Sequence, residues 1–201
     1  MFLNGNCILN KHHPFFFIAG SFLLGAISVL SFSPFNHYFI SLLSLSALFY
    51  IWYQLNDKNQ IFLSGLFFGL GLFGFGISWI YISLNKFGGM PPWLSVLSTF
   101  LFCIFFAFFI GAIGWFSSYR KSSFILTPFI WTLLEWIKGW FLTGFPWLTM
   151  GYSQIPSSPL AGFLPVIGIY GVTLLLICLA ILLSYTLIDK DKSSKFKKLW
   201  V

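Results

Sequence analysis

The feature that most constrains this chain is a succession of long apolar stretches with almost no charge inside them. Six qualify, at about residues 14–30, 38–55, 61–84, 93–116, 124–138 and 163–188. A helix needs about 20 mostly apolar residues to cross a bilayer. Of 201 residues, 58% are hydrophobic and 7% are charged, whereas soluble domains carry roughly 25% charged residues. A soluble fold of this size cannot hide so much apolar surface. Backbone groups in lipid must be satisfied within their own segment, which makes the stretches helices, and the alternating ten-residue segments of a β-barrel are absent. The sequence therefore predicts an all-α membrane protein, a polytopic bundle of about six transmembrane helices over residues 1–188. Residues 189–201 read as a basic cytoplasmic loop that stops short of a further span. The first stretch has no small-residue cleavage site after it, so it reads as a retained helix rather than a signal peptide.

The net charge of +7 does not point to nucleic acid, because the basic residues sit in short runs between apolar stretches and form no stripe. They set an orientation instead. With the N-terminus in the cytoplasm, Lys11, Lys58, Arg120, Lys121, Lys190, Lys192, Lys195, Lys197 and Lys198 lie on the cytoplasmic side, against Lys86 and Lys138 on the other. The outer connections (33–36, 85–92 and 139–162) are rich in Gly, Pro and aromatic residues, so a functional surface is expected at the outer leaflet. The three cysteines, Cys7, Cys103 and Cys178, match no metal or disulfide spacing. No metal and no cofactor is expected.

Two features carry possible chemistry. Glu135 is the acidic residue of the predicted spans, where charge is costly, and Lys138 follows one turn later, a spacing at which the two pair or snorkel to the interface. The stretch 139–154 combines helix breakers with Trp and Tyr, as an interfacial aromatic segment or a lipid-binding mouth does. Glu135, Lys138, Phe145, Pro146, Trp147, Tyr152 and Gln154 are the candidates to line that mouth. In the third stretch, Gly65 and Gly69 form a small-xxx-small pair, which suits close helix packing or an acyl-chain groove.

Several segments resemble the membrane part of bacterial apolipoprotein N-acyltransferases. They are Phe32-Ser33-Pro34-Phe35, then Gly76-Ile77-Ser78-Trp79-Ile80-Tyr81-Ile82-Ser83 leading to Phe87-Gly88-Gly89-Met90-Pro91. Glu135-Trp136-Ile137-Lys138-Gly139-Trp140 follows, with Leu142-Thr143-Gly144-Phe145-Pro146-Trp147, Gly151-Tyr152-Ser153-Gln154, Pro159-Leu160-Ala161-Gly162 and Gly168-Ile169-Tyr170-Gly171. The resemblance runs from about residue 13 to 188. It implies transfer of an acyl chain from a membrane phospholipid to the α-amino group of an apolipoprotein's N-terminal diacylglyceryl-cysteine, at the outer face of the bacterial cytoplasmic (inner) membrane. In that family a Cys forms a thioester, a Glu acts as base and a Lys steadies the oxyanion, all on a nitrilase-like domain that follows a further span. This sequence ends before that span. No catalytic residue is carried over, and the chain alone is expected to be inactive: the truncated or split membrane half of the enzyme. The alternative is a non-catalytic scaffold that binds lipid or a separately encoded nitrilase-like partner. A channel is disfavoured, because Glu135 is the one acidic group available to line a path.

Overall fold

The computed structural model describes residues 14–118 and 126–198. Lys11, Arg120 and Lys121 of the orientation argument lie outside them. Among the described residues the regular structure is helical throughout. Its helices are α1 (Pro14–Ser28), α2 (Tyr38–Gln54), α3 (Lys58–Gly76), α4 (Trp79–Ile82), α5 (Pro92–Ser117), α6 (Thr127–Lys138) and α7 (Leu164–Lys198). A π-turn, Ser83–Phe87, follows α4. Short 3-10 turns span Phe141–Thr143, Met150–Gln154 and Pro159–Phe163.

The starts have local causes. Asp57 precedes α3 and accepts from the Asn59 N–H at 3.0 Å, satisfying one of the donors a helix start leaves unpaired. Proline opens α5 and sits in the first turn of α6, where its fixed φ suits the helix and its missing N–H costs nothing.

Among the described residues, three segments are long and apolar enough to cross a membrane: Lys58–Gly76, Pro92–Ser117 and Pro159–Ile188. Phe16–Ser31 and Tyr38–Gln54 are shorter apolar helices. The third apolar stretch, expected as one helix over 61–84, breaks after Gly76, and Ile77 leaves helical geometry at φ −124° and ψ 15°. The Leu148 side chain lies 2.5 Å from where a Cβ on Gly76 would sit, so the connection after α6 packs against the chain at that point. The fifth stretch gives a helix of 12 residues, shorter than the expected 124–138, of which 124 and 125 lie outside the described residues.

The basic segment, expected as a loop from 189, continues α7 as helix to Lys198. Neither Gly nor Pro follows Gly171, so nothing stops the helix. Its one irregularity is Gly168, at φ 64° and ψ −179°, a conformation essentially reserved for glycine. Gly168→Ala is expected to cost about 1–3 kcal/mol. Since no atom lies within 4 Å of the added Cβ, the loss would be backbone strain rather than a clash. An unchanged thermal midpoint in detergent would contradict this.

Helix α3 is the centre of the bundle, between α1 and α5. On one side Gly25 and Gly71 bring the α1 and α3 backbones together. On the other, a Cβ on Gly65 would lie 2.7 Å from the Ile110 carbonyl, and one on Gly69 would lie 2.6 Å from the Ala107 Cα. The small-residue pair is filled by α5, so its role is helix packing. Helix α7 packs on α2 and α6. Between them, Trp131 meets Phe49 edge to face at 5.9 Å, and both are buried.

Candidate functional site

The connection between α6 and α7 meets the ends of α2 and α3 at one end of this bundle. Trp79 lies 5.5 Å from Trp147, Leu148 sits over Gly76, and Gln154 reaches the first turn of α2. The stretch 139–163 is thus laid across the ends of α2, α3, α6 and α7, and its backbone needs partners there.

Glu135, Lys138 and Thr173 supply some of them. Glu135 lies in the last turn of α6 at 6% exposure, with Lys138 at 4%, so neither side chain snorkels to an interface. The Trp131 indole, one turn earlier, donates to Glu135 Oε1 at 3.1 Å. The Met150 N–H donates to the same oxygen at 2.9 Å. The Thr173 hydroxyl of α7 donates to Glu135 Oε2 at 3.0 Å, and itself accepts from the Gly151 N–H at 2.9 Å. Lys138 Nζ donates to the Trp147 carbonyl at 3.2 Å and lies 5.3 Å from the centre of the Phe73 ring. A cavity of about 10 Å³ borders both charged groups, walled by Phe73, Phe106, Ile113 and Leu134, near the lower limit for holding a water molecule.

Gln154 belongs to a second polar cluster. Buried at 2% exposure, its Nε2 donates to the Tyr38 carbonyl at 3.2 Å, to Ser41 Oγ at 2.9 Å and to Ser153 Oγ at 3.0 Å. Ser153 Oγ donates in turn to the Met150 carbonyl at 2.6 Å. This cluster ties the Met150–Gln154 turn to α2.

The other candidates form an aromatic shelf above. Phe145 is half-buried, stacked on Trp147 at 6.0 Å and set edge-on to Phe102 of α5 at 5.1 Å. Pro146 is exposed, and Trp147 and Tyr152 are about half exposed. Trp140, Phe141 and Leu142 beside them are exposed too. The seven candidates therefore divide: Glu135, Lys138 and Gln154 bind the loop from below, while Pro146, Trp147 and Tyr152 face outward and Phe145 joins the layers. Sequence reasoning missed Trp131, Thr173, Ser41 and Ser153. Trp131 precedes Glu135 by one helical turn, a signal that was there to read.

A family profile described as the apolipoprotein N-acyltransferase N-terminal domain matches residues 24–182, which include every residue of both polar clusters. The chain belongs to the apolipoprotein N-acyltransferase family. Among relatives, it is 44% identical over 167 residues to an apolipoprotein N-acyltransferase of Nitrosomonas europaea, covering 81% of this chain and 34% of that protein. It is 39% identical over 175 residues to one from Photobacterium profundum, again covering 34% of the relative. With one from Coxiella burnetii it shares 41% over 160 residues. The chain thus spans about a third of the length of the family members it matches.

Proposed function

We propose that this chain is the multi-pass membrane part of an apolipoprotein N-acyltransferase, and that its 139–154 loop forms a mouth receiving phospholipid. The bundle sits in the bacterial inner membrane with its N-terminus in the cytoplasm and the loop at the outer leaflet. The reaction it serves moves an acyl chain from phospholipid to the N-terminal diacylglyceryl-cysteine of an apolipoprotein. The family's reacting Cys, Glu and Lys are supplied from outside this bundle. Glu135 and Lys138 have other work, since each is hydrogen-bonded to the loop.

The observation that carries the reading is the shelf. Large aromatic side chains stay exposed on a backbone held from beneath by buried charged and polar groups, as suits a surface meeting both acyl chains and headgroups. In the enzyme carrying this membrane part, Trp147→Ala is expected to lower acyl transfer about ten-fold, equivalent to about 1.4 kcal/mol of barrier. Phe116→Ala, exposed at the opposite end of the bundle, should change it little. Equal losses in the two variants would sink the reading. Activity is followed as acyl transfer to a diacylglyceryl-peptide.

A further inference from the structure

We propose that Glu135 and Thr173 are positioning residues that cap the Met150–Gln154 turn from two other helices. With Lys138 they hold Leu148 in a strained conformation, so that Trp147 is presented outward at a fixed height. This rests on the reading of Trp147 as part of a lipid mouth.

A helical turn begins with N–H groups that have no partner within it. The usual remedy is a side chain at the residue just before. Here that residue is Thr149, and it makes no such bond. Its hydroxyl donates instead to the Pro146 carbonyl at 2.8 Å. The first two N–H groups, of Met150 and Gly151, are buried and would be costly left alone. Glu135 takes the first directly. Thr173 takes the second, and its own hydroxyl donates a hydrogen bond to the other oxygen of the same carboxylate. One buried charge thus caps the turn through α6 and α7 at once. Gly151 has to be glycine for this, because a Cβ there would strike the Ile169 carbonyl and lie 3.0 Å from Thr173 Oγ1.

The other anchor lies three residues back, where Lys138 holds the Trp147 carbonyl. Between the anchors sits Leu148 at φ 54°, a left-handed conformation that a leucine keeps only when its surroundings impose it. Its side chain, 7% exposed, is the one wedged over Gly76. The charged pair therefore grips the chain on both sides of its strained residue. Release of either grip lets Leu148 relax, and Trp147 turns away with it.

The test is amide hydrogen exchange, read by mass spectrometry on peptides covering residues 148–154, in the full-length protein in phospholipid nanodiscs. Glu135→Ala and Thr173→Val should speed exchange at Met150 and Gly151 about ten- to a hundred-fold, the worth of a hydrogen bond to a charged group. Peptides from α3 and α5 should be unchanged. Glu135→Gln should speed exchange less than Glu135→Ala, since its amide oxygen still accepts from Met150 while its NH2 no longer accepts from Thr173. Thr173→Val keeps the shape of the side chain, so it decides the matter should Glu135→Ala fail to fold. Unchanged exchange in Thr173→Val, or a rise of equal size across the whole bundle, would overturn the proposal. Acyl transfer separates it from the mouth reading. Faster loop exchange with wild-type transfer leaves the cap standing and removes the mouth. Loss of transfer in Trp147→Ala, with exchange unaltered in Thr173→Val, does the reverse.

Discussion

Trp131→Ala is expected to be the most destabilising single truncation in the bundle, at about 2–4 kcal/mol. Trp131 is 1% exposed and touches two things at once: the Phe49 ring of α2 and the Glu135 carboxylate. Truncation opens a cavity between α2 and α6 and takes a donor from a buried charge. Among helices in lipid there is little transfer energy to lose, because the lipid is as apolar as the core. The cost therefore comes from lost packing and the weakened carboxylate. Trp131→Phe separates these two parts. It restores most of the volume without the N–H, and its remaining deficit measures the hydrogen bond. Denaturation of the purified protein by graded SDS reads both, and a loss under about 1 kcal/mol for the alanine variant would contradict the account.

Gly69→Leu is expected to separate α3 from α5, with a cost of about 3 kcal/mol or more. The obstruction is backbone, the Ala107 Cα at 2.6 Å from the new Cβ, so no rotamer change relieves it. Gly74→Ala in the same helix is the contrast. Nothing lies within 4 Å of its Cβ, the site is exposed, and alanine favours helix over glycine by about 1 kcal/mol. The two substitutions should move the thermal midpoint in opposite directions. A loss in both would mean that α3 tolerates no side chain for reasons other than its contact with α5.

What the sequence disclosed follows from the range of the forces involved. The all-helical class comes from apolar runs and needs nothing beyond them. Helices α2 and α5 begin and end where prolines and polar residues flank those runs, which is local chemistry. The seating of Leu148 over Gly76 is not local, since the two lie far apart in sequence. The same holds for the site. Residue type and side of the chain grouped seven candidates, yet gave no means of telling Trp147, which faces outward, from Gln154, which is buried against Ser41. Glu135 was visible as a costly charge and Lys138 as its neighbour. Each is also tied to the loop, because the polar backbone of 147–151 lies within reach of both. Thr173 stands in an apolar stretch of α7, where a lone threonine carries no signal at all.

The shortness of α6 bears on the bilayer around it. Its 12 residues rise about 18 Å, at 1.5 Å each. The hydrocarbon of a typical membrane is about 30 Å deep. A chain entering α6 at the cytoplasmic face would leave it while still below the level of the outer headgroups. The irregular backbone beyond it is tolerated at that depth because Glu135, Lys138 and Thr173 stand in for water. Lipid beside α6 must adapt to this mismatch, and thinning is the inexpensive response. The outer leaflet would then form a shallow dimple at the aromatic shelf.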